Sequence, residues 1–338
     1  MIRVLIVEDS AVIGVLLTAI IENEEDFEVI GVAKTGLEAI EMTEALNPDL
    51  ITMDIRMPVM DGITSIRTIM STNPKPIVVI SSNIDDELQI GFRAIDEGAL
   101  AVLEKPCSIY DPKFSSIQRD IVDTIRCMAE VKLVKRRLKR RSSGGLAKKS
   151  TVNYKLVTIG SSTGGPQVLK QILASLPGNY SSPIVITQHI SKGFIEGLAE
   201  WLNETCELQI KVAKNGEQLQ AGTVYFAPDN YHCQIQSDGA KLHIELCNDR
   251  EVNGFMPSVS RLFDSVATSC SGRAVGIILS GMGTDGADGL LAMYKNNCYT
   301  IAQDEHSSIV FGMPSAAIKL NAVNKVMPVE EICNYLLA

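Results

Sequence analysis

Short apolar runs rich in Val and Ile alternate with amphipathic segments along residues 1–127. The runs have the composition of buried strands, and the segments between them carry apolar residues at three- and four-residue spacing, as helices do. Five such strand and helix repeats predict a doubly wound parallel sheet. The predicted strands are "IRVLIV" (2–7), "FEVIGV" (27–32), "LITMD" (50–54), "PIVVIS" (76–81) and "ALAVLE" (99–104).

The same alternation returns in residues 153–338 and predicts a second doubly wound, mostly parallel sheet. The segment "YHCQIQSDGAKLHIEL" (231–246) differs, because apolar and polar positions alternate strictly around "SDGA". That pattern predicts an antiparallel hairpin appended to the sheet. The predicted parallel strands are "KLVTIG" (155–160), "IVITQ" (184–188), "TVYFAP" (223–228), "AVGIILS" (274–280) and "YTIAQ" (299–303).

Residues 128–152 separate the two regular patterns. The stretch is strongly basic, loses its apolar positions and ends in Ser, Gly and Lys, as solvated linkers do. We therefore predict two α/β domains, 1–127 and 153–338, joined by a basic linker. The alternative is that the basic stretch contacts DNA phosphates, but the C-terminal region is net acidic and has no helix-turn-helix pattern. Both observations favour a linker and no nucleic-acid partner.

Composition and the first residues of the chain indicate the cellular compartment of the protein. Although 46% of the residues are hydrophobic, no apolar run reaches the roughly 18 residues of a membrane span. The first residues, "MIRVLIVEDS", become acidic too early for a signal peptide. The eight cysteines include no CxxC pair, which favours reduced thiols over a disulfide framework or a zinc site. A cytoplasmic protein without membrane insertion is expected.

Polar residues follow the predicted strands of the first domain. Glu8 and Asp9 follow the first strand, Asp54 the third and Lys105 the fifth, while Ser81 ends the fourth. Ligands of such sheets lie beyond the carboxyl ends of the strands, and converging carboxylates suit Mg²⁺. With the cation and Lys105 neutralising charge, Asp54 is placed to accept a phosphoryl group as nucleophile. The Ser81 hydroxyl is placed to bond that group and act as a switch.

"IGSSTGGPQ" (159–167) follows the first strand of the second domain and opens a helix. Gly164 and Gly165 permit a tight turn in which the backbone approaches a substrate closely. Ser162 is nearer the helix start than Ser161, so helix N–H groups near it are suited to an oxyanion. A serine at this position is also a common helix cap, and nucleophilic chemistry requires a base.

The chain has four histidines from which that base must come. His189 directly follows "IVITQ" and so lies on the same sheet edge as Ser162, which favours it as the base. His243 fits the hairpin strand. His232 and His306 fit loop positions without chemistry.

Asp285 lies in the turn "SGMGTDGADG" after the strand "AVGIIL" and is the favoured carboxylate to orient the imidazole, with Asp288 as the rival one helical turn later. The surrounding "GMGTDG" (281–286) also matches a dinucleotide fingerprint, with Asp304 at nearly the spacing of a ribose-binding acid. An anionic Asp285 inside a pyrophosphate turn disfavours that alternative. It would also leave the serine and histidine turns without a role.

With the strand-end residues, "MDIRMPVMDG" (53–62) resembles the receiver domain of bacterial two-component response regulators, which is flavodoxin-like. The resemblance implies that Asp54 is the phosphoacceptor and that Lys105 contacts the phosphoryl group. It also implies Mg²⁺ ligation by Asp9, Asp54 and the main-chain carbonyl of Arg56. Glu8 stands where the family more often has Asp, and its longer side chain can reach the ion through water.

Residues 153–338 resemble the chemotaxis protein-glutamate methylesterase family, CheB, with its Rossmann-like three-layer fold. The resemblance implies Ser162 as nucleophile, His189 as base and Asp285 as the orienting acid, with the main-chain N–H of Met282 in the oxyanion hole. Ser161 stands where the family has a small residue and has no catalytic part. The motifs that carry the resemblance are "IGSSTGGPQ", "ITQHISKGF", "APDNYH", "NGFMPSVSRLFDSVA", "LSGMGTDGADGLLAM" and "AQDEHSSIVFGMPSAAI".

The two resemblances together imply a phosphorylation-regulated serine hydrolase of sensory adaptation. Its substrates would be glutamate γ-methyl esters, and also glutamines, of methyl-accepting chemotaxis receptors, with methanol released from the esters. A chemotaxis histidine kinase would donate the phosphoryl group, and Mg²⁺ would serve the receiver only, with no cofactor for the esterase reaction. The unphosphorylated receiver would cover the catalytic edge until Asp54 is phosphorylated.

Overall fold

The computed structural model describes residues 1–82, 85–106, 108, 110, 114–131, 154–239, 241–270 and 272–338, with the backbone alone for 85–90. The chain divides into two compact units, 1–142 and 143–338. The predicted linker falls mainly on 132–153, outside the described residues. None of the helices in the described ranges combines the length and apolar character that crossing a bilayer requires.

The N-terminal unit is a five-stranded parallel sheet with strand order β2-β1-β3-β4-β5, the flavodoxin-like order. Its three central strands are mostly buried and apolar, as a sheet covered by helices on both faces requires, whereas the edge strand 27–33 has exposed positions. The predicted fold of this region is confirmed, and each of the five strands lies within a residue or two of its predicted position. The elements are β1 Ile2–Val7, α1 Ala11–Glu22, β2 Phe27–Ala33, α2 Gly36–Leu46, β3 Leu50–Met53, α3 Gly62–Thr72, β4 Ile77–Ser81, α4 Asp85–Asp96, β5 Ala101–Glu104 and α5 Phe114–Ala129.

Side-chain caps fix where three helices of this unit begin. Ser10, Thr35 and Asp61 each accept a hydrogen bond from the main-chain N–H three residues later, at the starts of α1, α2 and α3. Such caps pair N–H groups that have no partner inside the helix. The helices therefore start just beyond the strand ends, which leaves the strand-end carboxylates at the open edge of the sheet.

The C-terminal unit is a seven-stranded parallel sheet with order β14-β13-β12-β6-β7-β9-β8. Two short strands were not predicted, β8 and β14. The elements are β6 Leu156–Ser161, α6 Gly165–Leu173, β7 Ile184–Gln188, α7 Ile195–Asn203, β8 Gln209–Val212, β9 Thr223–Phe226, β10 His232–Ser237, β11 Leu242–Cys247, α8 Val259–Ser269, β12 Ala274–Ile278, α9 Ala287–Lys295, β13 Tyr299–Gln303, α10 Met313–Lys319, β14 Lys325–Met327 and α11 Val329–Leu337.

The predicted antiparallel hairpin is present as β10 and β11, which pair from His232↔Cys247 to Ser237↔Leu242. The hairpin forms a two-stranded sheet of its own and does not extend the parallel sheet. It packs against α8, and its apolar positions Cys233, Ile235 and Ile244 join the core beneath that helix. The hairpin thus supports the helix from outside the main sheet.

Strand β6 is the topological switch point of the larger sheet. The chain builds β7, β8 and β9 on one side of β6 and β12, β13 and β14 on the other. In open α/β sheets the crevice at such a reversal, beyond the carboxyl ends of the strands, is where ligands bind. The turns that follow β6, β7 and β12 meet at this edge.

Candidate active site and phosphoacceptor site

Ser162 lies directly beyond β6, in the turn that leads into α6. Its N–H donates to the Ser280 carbonyl at 3.0 Å, and its own carbonyl accepts from the Gly165 N–H at 2.8 Å. Gly164, with φ of 77°, occupies the left-handed region that the sharp turn requires. The serine is thus held between β6 and the end of β12, with 9% of its surface exposed.

His189 reaches the same edge from the neighbouring strand. Ser161 and Gln188 pair in register at the ends of β6 and β7, and the His189 N–H donates to the Ser161 carbonyl at 2.9 Å. Ser162 and His189 are therefore the next residues along two adjacent parallel strands. The strand pattern predicts His189 on the same sheet edge as Ser162, and the structure places it there.

The imidazole of His189 faces Asp285. Nε2 lies 3.0 Å from Asp285 Oδ2, and both side chains are buried. Both ring nitrogens are buried without an aligned hydrogen bond to any of the described residues, and Nε2 is the one that lies against the acid. The nitrogen turned away from the acid is thus the one left to exchange a proton with a hydroxyl.

Asp285 is held by the first turn of α8. Oδ1 accepts from the Ser258 hydroxyl at 2.9 Å and from the Ser260 N–H at 3.3 Å. Oδ2 accepts from the Val259 N–H at 2.7 Å. A helix N-terminus carries partial positive charge and unpaired N–H groups, so this carboxylate is bound as an anion.

The ionisation of Asp285 follows from these contacts. Burial alone would raise its pKa, but His189, the Val259 N–H and the Ser258 hydroxyl outweigh burial and lower the pKa to about 2. The group is therefore a carboxylate throughout the neutral range. It is suited to hold a neutral imidazole in place and to stabilise that ring once it is protonated.

Gln188 ties the serine turn to the histidine turn. Its Oε1 accepts from the Ser161 hydroxyl at 2.6 Å, and its Nε2 donates to the carbonyls of Ser162 and His189, each at 2.8 Å. Ser161 is fully buried. Its hydroxyl is engaged in fixing Gln188, which agrees with the expectation that Ser161 is not the nucleophile.

Gly281 lies against Ser162 in the turn after β12. A Cβ at this glycine would fall 2.7 Å from Ser162 Cβ and 3.1 Å from Ser162 N. Met282, the predicted oxyanion donor, is the next residue and is therefore at the same edge. The close approach of the two turns is possible because residue 281 has no side chain.

The other histidines and Asp288, which were the alternative candidates for the base and the acid, are exposed or contact other residues. Asp288 and His306 are exposed, and His243 contacts Asp238 at 3.1 Å on the hairpin. His232, which was interpreted as a loop residue, instead begins β10 and is fully buried. None of these four brings its side chain to the Ser162 turn among the contacts that the structure describes.

The dinucleotide alternative for residues 281–286 is disfavoured by the contacts of the turn. Asp285 points at α8, and the Gly286 N–H donates to the Ser260 hydroxyl at 2.8 Å. Asp304 bonds the Ser307 N–H and hydroxyl of its own loop. The Gly286 N–H and the Asp304 carboxylate, which would bind a pyrophosphate and a ribose, are thus hydrogen-bonded to other groups of the protein.

Three supporting residues of the site were not predicted: Gln188, Ser258 and His232. Ser258 donates its N–H to His232 Nδ1 at 3.2 Å, and His232 Nε2 lies 3.0 Å from the Arg250 carbonyl. His232 therefore anchors the residue that anchors Asp285. Ser258 directly precedes a helical pattern and therefore carries a helix-cap signal. Nothing in the sequence relates this serine to Asp285.

The N-terminal unit brings its strand-end residues together. Lys105 Nζ lies 2.9 Å from Glu8 Oε2 and 2.9 Å from Asp54 Oδ2. Asp54 Oδ1 accepts from the Ile55 N–H at 2.7 Å. Ser81 is buried at the end of β4, and its hydroxyl has no hydrogen-bond partner among the described residues.

The carboxylates of this unit fit a hard divalent cation. Glu8, Asp9 and Asp54 each offer an oxygen, and the three oxygens lie within 4.8 Å of one another. Asp9 and Arg56 line one cavity beside Asp61 and Ile63. Oxygen donors in such a cluster are the ligands that Mg²⁺ prefers, with water completing the coordination.

Two classes of protein are thus combined in one chain. The first unit has the flavodoxin-like fold with an acidic cluster and a lysine at the carboxyl edge, as phosphorylated receivers have. The second brings a hydroxyl, an imidazole and a buried carboxylate to one sheet edge, which is the constellation of serine hydrolases.

Comparison with known proteins agrees with both classes. Residues 4–111 match the response regulator receiver domain, and residues 157–336 match the CheB methylesterase domain. A protein-glutamate methylesterase/protein-glutamine glutaminase of Methanospirillum hungatei is 43% identical over 99% of this chain and 97% of its own length. One of Geobacter metallireducens is 42% identical over 99% and 98%.

A solved structure extends the comparison to the fold. The CheB methylesterase catalytic domain of Thermotoga maritima is 36% identical, with a TM-score of 0.53, covering 55% of this chain and 98% of that domain. The chain belongs to the CheB methylesterase family, with an N-terminal receiver domain. The family confirms the predicted fold and the predicted class of enzyme, a hydrolase of carboxylic esters.

Proposed function

We propose that this protein removes methyl groups from glutamate γ-methyl esters of methyl-accepting chemotaxis receptors and deamidates receptor glutamines. Residues 153–338 form the catalytic domain, 1–127 the receiver and 128–152 the linker. The observation that carries the proposal is the buried Asp285, which contacts His189 at the sheet edge where Ser162 follows the adjacent strand. The full-length similarity to relatives named for these two activities supports the substrate class.

Ser162 is the nucleophile of the proposed reaction. Its Oγ bonds to the ester carbonyl carbon while the hydroxyl proton passes to His189. Because Nε2 faces Asp285, the proton goes to Nδ1. The tetrahedral intermediate collapses, the proton moves to the departing methoxide, and methanol leaves an acyl-enzyme.

Water completes the turnover by the same route. His189 takes a proton from the water, whose oxygen attacks the acyl carbon, and Ser162 regains its proton as the glutamate leaves. For a glutamine the leaving group is ammonia and the acyl-enzyme is the same. The N–H of Met282 stabilises the oxyanion, and one such donor typically contributes about 3 kcal/mol to the lowering of the barrier.

Asp54 is the phosphoacceptor that regulates this activity. Its carboxylate attacks the phosphorus of a chemotaxis histidine kinase's phosphohistidine, and the imidazole leaves. Lys105, already 2.9 Å from Asp54, neutralises the phosphoryl oxygens, and the buried Ser81 hydroxyl bonds them. Phosphorylation then relieves the restraint that the unphosphorylated receiver places on the esterase.

Mg²⁺ would be held by Asp9, Asp54 and the Arg56 carbonyl, with Glu8 beside them. The ion would neutralise charge during phosphoryl transfer to Asp54. It has no part in ester hydrolysis, for which the triad supplies acid, base and nucleophile. The close carboxylate oxygens support this assignment.

Replacement of Ser162 by Ala tests the proposed function. Released methanol is measured with methylated receptor as substrate, and we expect turnover to vanish while phosphorylation of Asp54 is retained. Ser181→Ala is the control, since it removes the hydroxyl of an exposed serine outside the site and should leave the activity unchanged. Methanol release by the Ser162→Ala variant at the rate of the unmodified protein would refute the assignment.

A further inference from the structure

Phe255 contacts the candidate base directly. Its ring stacks on the imidazole of His189 with a centroid separation of 4.0 Å and an angle of 2° between the ring planes. Phe255 belongs to the loop between β11 and α8 and is partly exposed. The mechanism above uses neither this ring nor this contact.

The stretch that begins at Phe255 reaches both partners of the catalytic pair. Three residues later Ser258 donates to the Asp285 carboxylate, followed by the N–H groups of Val259 and Ser260. The same short segment therefore stacks on the base and binds the acid. Because the segment leads directly into α8, the start of that helix fixes these two contacts relative to one another.

The two contacts restrain different motions of the imidazole. The contact of Nε2 with Asp285 fixes one edge of the ring, but the ring can still tilt about that edge. A face-to-face stack opposes tilting, because any rotation separates the two faces or forces their edges together. The imidazole, and Nδ1 with it, is then held parallel to the Phe255 ring with Nε2 against Asp285.

We infer that Phe255 is a positioning residue of the methylesterase reaction, holding the His189 ring and stabilising its protonated form. The inference depends on the proposed function. When His189 accepts the Ser162 proton, a positive charge appears on a ring whose face lies over an aromatic face. The negative potential of that face attracts the cation.

This role predicts a specific pattern of kinetics. Phe255 is placed to act through the His189 imidazole, so its loss should lower kcat and leave KM nearly unchanged. Another aromatic ring at position 255, whether or not it carries a polar group, should maintain kcat. An aliphatic side chain of similar bulk should not. Packing alone would make no such distinction.

The test compares Phe255→Tyr, Phe255→Trp and Phe255→Leu in the full chain, with methanol release from methylated receptor as the assay. We expect the Tyr and Trp variants to keep kcat within about 3-fold, and the Leu variant to lose about 10-fold, the usual scale of a partly desolvated cation–π contact. The rate at which a small fluorophosphonate phosphonylates Ser162, with an O–P bond formed and fluoride leaving, should fall in the same order, because that reaction needs the base but no receptor. Tyr294→Leu removes a comparably exposed ring on α9 and is the matched control.

Two results would overturn the inference. One is equal kcat for the Leu and Tyr variants while thermal unfolding shows both folded. The other is a Leu variant that changes KM alone, which would make Phe255 a substrate contact. These outcomes differ from failure of the proposed function, in which the Ser162→Ala variant would keep releasing methanol.

Discussion

Gln188 donates a hydrogen bond from its side-chain amide to the main-chain carbonyl of Ser162, at 2.8 Å. The same amide donates to the carbonyl of His189, and its oxygen accepts from Ser161. A single buried side chain thus holds the nucleophile turn and the base turn at a fixed separation.

Replacement of Gln188 by Met should loosen this link. The side chain keeps its length but loses three hydrogen bonds, so buried polar groups are left without partners. We expect a loss of about 2 kcal/mol in the free energy of unfolding and a drop of about 10-fold in kcat. Urea unfolding and methanol-release kinetics measure the two effects.

The control for that substitution is Gln167→Met on α6, where the side chain is partly exposed. It should change neither quantity by more than the experimental error. A Gln188→Met variant with normal stability and normal kcat would mean that the link between the two turns is dispensable.

Substitution of Asp285 by Asn tests whether Asp285 or Asp288 is the acid that orients the imidazole. An amide lacks the charge that stabilises the imidazolium and can present the wrong group to the ring, so we expect kcat to fall by roughly 10³-fold or more. Asp288→Asn, on the exposed side of α9, should retain normal turnover. The reverse result would identify Asp288 as the orienting acid.

Asp285 also predicts how stability depends on pH. Its folded-state pKa of about 2 lies below the ordinary 3.8, so the unfolded chain binds the proton more readily. The resulting stabilisation is fully present above pH 4 and is lost as pH falls towards 2, a change of about 2 kcal/mol. The difference in unfolding free energy between the unmodified protein and Asp285→Asn should therefore shrink between pH 6 and pH 3. A constant difference would show that the carboxylate is not held as an anion.

Asp54→Asn should remove regulation and leave catalysis. The amide cannot form an acyl phosphate, so incubation with acetyl phosphate and Mg²⁺ should give no hydroxylamine-labile phosphate and no stimulation of methanol release. Unstimulated turnover should match that of the unmodified protein. The control is Asp49→Asn, an exposed aspartate that binds the Arg3 N–H, which should still be phosphorylated and stimulated. Labile phosphate on the Asp54→Asn variant would locate the phosphoacceptor elsewhere.

The strands were predictable wherever both faces of the sheet are covered. In β1 and β12 nearly every residue is apolar, and a buried run bounded by polar turns has few other interpretations. β8 and β14 were missed because they are short edge strands with exposed positions. Their sequences contain no continuous apolar run.

The chemistry of the site was predictable to the extent that it follows strand ends. Ser162 and His189 come within two residues of the end of a predicted strand, and Asp285 lies in the turn after another. The topology of a parallel sheet brings such positions to one edge. The contacts of Phe255 and Ser258 depend instead on how α8 packs beside the turn after β12. Phe255 has no titratable group, so nothing in the sequence marks it as a functional residue.

The close approach of Gly281 to Ser162 supports a final prediction. A methyl group at position 281 would overlap Ser162, whose Cβ and N would lie 2.7 and 3.1 Å away, and would also press on the flexible end of Met313. The turn must then shift, and a displacement approaching 1 Å at a nucleophile costs about 100-fold in rate. We expect Gly281→Ala to lose about that factor in kcat, measured by methanol release, while Gly14→Ala, where a Cβ makes only an ordinary contact with Val32 at 3.6 Å, keeps full activity. Full activity in both variants would show that the turn after β12 does not constrain the nucleophile.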